Sequence, residues 1–188
     1  MEILTCAACA HPLTAPLHLI AEAPDRPGYD GTKGPDGKRR PPATLPRGCY
    51  AIDPEPSGAP MVPYEGDDDS YPGAYPGGPA QLGEDGDWLV AGGPRNSYVT
   101  HPDDVVELDF HPDFARLGGC CGPAGDLGVN RVCPGCGAEA ATVFGDCVGP
   151  YETHFAPDAV RAVPAADVPQ ADLPDPDRTA PAAGPGTG

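Results

Sequence analysis

Apolar side chains recur at strand spacing in short runs, and the runs gather in two separated parts of the chain. Residues 2–6 and 17–21 are too short for helices, and Leu17 and Leu19 share one face of the second run. A cysteine pair lies between them, so 2–21 reads as strand, tight turn, strand. Trp88, Leu89 and Val90 form another strand, expected to anchor against the core. The stretch NRVCPGCGAEAATVF (130–144) repeats the strand, turn, strand pattern around a second cysteine pair. One region stays open: Val106, Leu108 and Phe110 alternate as in a strand, whereas Asp104 followed by Glu107 would make a capping box for a short helix.

Between these runs the periodicity fades. Residues 23–48 collect Gly, Pro and most of the positive charge, and read as a mobile loop. Cys49–Asp53 could form a short strand. Residues 65–87 carry two Tyr-Pro-Gly units, a run of Asp and no apolar period, which is the pattern of disordered chain. Residues 156–188 contain seven Pro and nine Ala and read as a tail.

Composition sharpens this division. Leu, Ile, Val and Phe together number 30 of 188 residues, and the formal net charge is −17, a pairing typical of chains that are disordered in part. The deficit is uneven, because 22 of those 30 side chains and seven of the eight cysteines lie in 1–21 and 88–155. The expected organisation is a discontinuous metal-binding domain built from 1–21 plus 88–155. Residues 22–87 would form a largely disordered Pro/Gly/Asp-rich insertion, and 156–188 a disordered tail. The expected fold is a small mainly-β or α+β domain stapled by zinc.

Charge and hydropathy remove some partners. An acidic chain lacks the basic face that phosphate contacts require, so free nucleic acid is not expected. No run approaches the ~20 apolar residues needed to span a bilayer. The first residues carry Glu2 where a secretory leader would carry Lys or Arg, so the expected location is cytoplasmic. Thiols stay reduced there, which favours metal or redox chemistry over disulfides.

The cysteines carry the chemistry. A Cys-x-x-Cys turn offers two sulfurs to one ion, and two such turns complete the tetrahedral shell that Zn²⁺ prefers. A redox pair would instead place its first cysteine at a helix N-terminus after a buried strand. The residues after Cys136 do not continue that way, so metal is the preferred reading over redox or plain buried thiols. RVCPGCGAE resembles the knuckle of a zinc ribbon, and LTCAACAHPLT is similar, with Ala10 where that family most often has Gly. The resemblance implies a small β fold clamped by Cys6, Cys9, Cys133 and Cys136. The separation of the two knuckles is far longer than zinc ribbons usually show. The wider pattern HPDFARLGGCCGP…GVNRVCPGCGAE…DC also resembles cysteine-rich proteins of high-GC actinobacteria, from which no activity carries over.

Cys120, Cys121 and Cys147 remain. With one histidine they would make a second four-ligand site, so one zinc ion is expected, or two. His111 is the favoured partner, then His154 and His101. In extended chain Cys120 and Cys121 would point to opposite faces, which makes a shared ion awkward. Each His-Pro-Asp triplet, at 101–103 and 111–113, reads as a turn in which Pro fixes the backbone.

The functional expectation is a non-catalytic zinc-binding module acting as an interaction or adaptor protein, with the acidic Tyr/Pro/Gly segment 64–79 as its contact element for a protein partner. A thiol-based redox or zinc sensor using Cys120 and Cys121 is the alternative. A zinc enzyme ranks last: no His-Glu-x-x-His, deaminase or Gly-x-Ser-x-Gly pattern occurs.

Overall fold

A computed structural model of the chain describes residues 1–35, 37–66, 80–106, 108–147 and 149–169. The fold is mainly β. Among the described residues its strands are β1 (Glu2–Cys6), β2 (His18–Ile20), β3 (Cys49–Asp53), β4 (Met61–Pro63), β5 (Gln81–Leu82), β6 (Trp88–Ala91), β7 (Ser97–Thr100), β8 (Asp109–Phe110), β9 (Arg131–Val132), β10 (Glu139–Phe144), β11 (Glu152–Phe155) and β12 (Val160–Pro164). Seven of them form one sheet in the order β2-β3-β7-β11-β10-β9-β8. A two-stranded ribbon, β1-β12, packs on one face of that sheet, and β4-β6-β5 make a separate small sheet.

The two faces of the large sheet follow from its register. Tyr50 pairs with Thr100, Thr100 with Thr153, and Phe155 with Ala141. Those positions point to the ribbon, where Leu4, Cys6, Leu13, Leu17, Val105, Cys133 and Val160 close the main core around Tyr50, Ala141 and Phe155. A register shift between Glu139 and Ala141 lets Ala140 and Ala141, consecutive in sequence, both enter this core. The Tyr50 hydroxyl donates to the Glu2 carboxylate, tying β3 to the ribbon.

The opposite face carries Ala51, Asp53, Ser97, Val99, Glu152 and His154. It is covered by the chain between β2 and β3. Leu45 packs there on Ala51 and Val99, and Arg26 reaches Asp53 at 2.5 Å and Glu152 at 2.9 Å. Glu152 is fully buried and also lies 2.7 Å from His154 Nε2. Desolvation works to raise its carboxyl, but His154 and Arg26 outweigh that and hold it down at about 2.

Several expectations change at this level. The segment 22–87 is not separate from the core, since β3 lies inside the large sheet between β2 and β7. Five residues, CYAID, suffice because neighbouring strands satisfy both of β3's edges. Nor does 156–169 hang free: β12 pairs along its whole length with β1, from Glu2 with Pro164 to Cys6 with Val160. The disorder read for 67–79 and 170–188 lies outside the described residues. Trp88, Leu89 and Val90 do form a strand, but in the small sheet, where all three are half-buried.

Glu107, the far half of the capping-box alternative, lies outside the described residues. Asp104 ends a 3-10 turn, Pro102–Asp104, and its buried carboxylate accepts the Gly48 amide at 2.7 Å and faces Arg47 Nε at 3.4 Å. The Asp104 carboxylate thus has a long-range partner. The Leu17 and Leu19 face is split as well: Leu17 is buried, whereas Leu19, on an edge strand, is 54% exposed.

Candidate metal centre

The two Cys-x-x-Cys turns repeat one backbone design. In the first, the Cys6 N–H donates to the His11 carbonyl and the Ala10 N–H returns to the Cys6 carbonyl, each at 2.8 Å. In the second, the Cys133 N–H donates to the Ala138 carbonyl at 2.8 Å and the Gly137 N–H returns to the Cys133 carbonyl at 2.7 Å. Strand β1 delivers Cys6 and β9 delivers Cys133, so each turn is held by a sheet on its entering side. Backbone amides turn inward to the sulfurs: those of Ala8 and Cys9 to Cys6, and those of Gly135 and Cys136 to Cys133.

Each turn closes through a left-handed residue. Gly137 has φ +74° and Ala10 has φ +61°. Only the glycine adopts this without a steric penalty, which for an L-residue is roughly 1–2 kcal/mol, partly offset by glycine's greater entropy when unfolded. Exchanging them gives opposite signs. Ala10→Gly should stabilise the loaded protein by about 0.5–1 kcal/mol and Gly137→Ala should destabilise it by about 1 kcal/mol, read from denaturant midpoints at constant slope. Equal shifts of the same sign would contradict the matched design.

The turns face one another. Cys6 Sγ lies 3.7 Å from Cys136 Sγ, and Cys9 Sγ lies 3.6 Å from Cys133 Sγ. All four sulfurs fall within 4.8 Å of one another. Four sulfurs each ~2.3 Å from a central Zn²⁺ would stand about 3.8 Å apart, so the spacing fits one tetrahedral ion. Gly135 approaches the first turn so closely that an added methyl would lie 3.3 Å from Cys9 Sγ, which marks how tightly the two turns interlock. The expected quartet, Cys6, Cys9, Cys133 and Cys136, is thus brought together from both ends of the described chain.

Burial divides the quartet evenly. The first cysteine of each turn is buried and the second exposed. Burial pushes the Cys133 thiol up to about 12, whereas at Cys6 desolvation is outweighed by the amides of Ala8 and Cys9 together with the sulfurs of Cys136 and Cys133, and the thiol is lowered. A cation entering the site displaces the proton that Cys133 otherwise keeps.

Cys120, Cys121 and Cys147 make a second group, their sulfurs also within 4.8 Å of one another. The expectation that adjacent cysteines diverge is corrected: Cys120 and Cys121 sit in a bend, and their sulfurs are 3.7 Å apart. His111 does not join them. Its Nδ1 accepts the Asp113 amide at 3.0 Å and its Nε2 lies 3.2 Å from Glu139. The His-Pro-Asp turn has claimed the ring, as it has in His101, whose Nδ1 accepts the Asp103 amide at 3.0 Å. His154 is engaged in the buried cluster with Glu152. Cys49 belongs to neither group, and all eight cysteines are free thiols.

Sequence reasoning missed Asp146. It is buried, and its two oxygens accept the amides of Cys120 (2.6 Å) and Cys147, joining the two loops that carry the second group. Its position beside Cys147 in Gly-Asp-Cys was the available signal. Among the described residues no helix is long and apolar enough to cross a membrane. Comparison of the chain with family models, with curated proteins and with solved structures gives no match.

Proposed function

We propose that the chain is a non-catalytic zinc-binding module in which Cys6, Cys9, Cys133 and Cys136 hold a structural Zn²⁺. The observation that carries this reading is the convergence of four sulfurs on two turns of identical hydrogen-bond design. Zinc suits the set because an all-sulfur tetrahedral shell is its usual structural environment. Four thiolates fill that shell and leave no coordination position for a substrate, which favours a structural ion over a catalytic one.

The module acts as an interaction or adaptor element in a reducing compartment such as the cytoplasm. Eight free thiols suit that setting. The contact segment suggested for its protein partner, 64–79, falls mostly outside the described residues.

Metal analysis of protein purified under reducing conditions tests the reading. The expected result is one tightly held zinc per chain that is absent from Cys9→Ser/Cys136→Ser, a variant altered at the two exposed ligands. Unchanged zinc content in that variant would overturn the assignment.

A further inference from the structure

The three remaining clustered thiols differ from the quartet in ways that give them a separate role. Cys120 and Cys121 are exposed and Cys147 is half-buried, whereas each turn of the quartet sinks one sulfur into the core. The second group has three sulfurs and no fourth His, Cys, Asp or Glu donor within the same range among the described residues. It also lies at the far end of β10. The quartet's last turn precedes Glu139, and Cys147 follows Phe144, so a six-residue strand, about 20 Å long at ~3.4 Å per residue, runs between the two sites.

This group is built in place. The buried Asp146 carboxylate receives an N–H from each cysteine-bearing loop, which fixes Cys120 beside Cys147. The Gly145 amide donates to the Pro123 carbonyl at 2.9 Å, and the Ala124 amide to the Gly118 carbonyl at 2.9 Å. A side chain at Gly122 would overlap the Gly145 carbonyl, so the loops can approach this closely only with glycine there. Asp146 anchors both loops through the amides of Cys120 and Cys147 and also accepts from the Cys147 thiol, whose proton an entering ion would displace.

The geometry points to a second, surface metal site in which Cys120, Cys121 and Cys147 bind one exchangeable soft d¹⁰ cation as thiolates, with its outward position open to solvent. A set of three sulfurs selects a soft ion over Mg²⁺ or Ca²⁺. Zn²⁺ would take water or an external donor as fourth ligand, and Cu⁺ would need none. Binding replaces up to three thiol protons by the ion, with no change of oxidation state. An open three-thiolate site trades its ion faster than a closed four-thiolate one, because an incoming ligand has a position to occupy. The chain therefore holds one fixed ion and one exchangeable ion.

The test loads the full chain with Zn²⁺ under reductant, removes excess metal, and follows transfer to a chromophoric chelator. The expected course has two phases of one equivalent each. Cys147→Ser and Cys120→Ser/Cys121→Ser should lose the fast equivalent while keeping the slow one and the parent melting temperature. A parallel Cu⁺ titration of the zinc-loaded chain separates the two candidate ions: displacement of the fast equivalent alone assigns the site to Cu⁺, and no displacement assigns it to Zn²⁺. A single slow equivalent in parent and variants alike would overturn the site. So would a fast equivalent that persists in Cys147→Ser or fills only under excess metal. Loss of the slow phase with the fast phase intact would instead count against the quartet as a structural zinc site.

Discussion

Cys133→Ser should unfold the protein rather than weaken it. Cys133 is fully buried, and its sulfur meets Cys9 across the two turns. A structural zinc contributes roughly 10–16 kcal/mol to a small domain, against total stabilities of about 5–15 kcal/mol for ordinary ones. Losing one of four thiolates would remove most of that, and it leaves a hydroxyl in the main core. Cys49→Ser supplies the control, because Cys49 is only part-buried and belongs to neither sulfur group. Thermal unfolding followed by circular dichroism, with and without a zinc chelator, measures both. The parent and Cys49→Ser should melt cooperatively until the chelator is added, while Cys133→Ser should show no transition in either condition. A Cys133→Ser protein that melts like the parent would show that this thiol holds no ion.

The second large effect concerns Arg26. Replacing it with Met should cost about 3–5 kcal/mol, the usual result when one partner of a buried ion pair is removed and the other stays buried. Here two carboxylates, Asp53 and Glu152, would lose their shared cation, with His154 still opposite Glu152. The sign of the pH dependence follows. In the parent Glu152 is held at about 2, so its contribution is complete above the ordinary carboxyl range and is lost only as pH falls through about 2. Without Arg26, burial raises that carboxyl, and the variant can relieve the charge by taking up a proton. The stability gap between parent and Arg26→Met should therefore be widest near pH 8 and narrow toward pH 5.5. Urea unfolding at several pH values measures the gap directly. A gap that stays constant, or widens in acid, would mean that Arg26 contributes through its aliphatic stem alone.

Local chemistry was legible in the sequence, and distant pairing was not. The quartet could be read because a Cys-x-x-Cys turn with Gly137 closing it is complete within five residues. Strands β1, β3 and β10 were legible for the same reason. β12 was not, because VRAVP lies among prolines and alanines and gains its order from β1, more than 150 residues earlier in the chain. The covering of the second sheet face was hidden by polarity. Arg26, Asp53, Glu152 and His154 look like surface residues one at a time, and their burial makes sense only once all four are neighbours. The second sulfur group was legible in membership but not in shape, since the bend at Cys120 and Cys121 depends on Asp146 and on Gly122 packing against Gly145. His111 was misassigned because a histidine in a His-Pro-Asp turn spends its ring on the turn.

The joining of Cys9 to Cys133 also sets a timetable for the newborn chain. The two sulfurs are 124 residues apart, so at about 5–20 residues per second the first turn waits about 6–25 s before its partner has been made. β1 waits longer still, because β12 follows later, and until then it keeps an open strand edge. An ion taken up before Cys133 is made would find only half of the proposed site. On the proposed reading the site is completed only once Cys136 has been made, and β1 gains its pairing strand only when β12 follows.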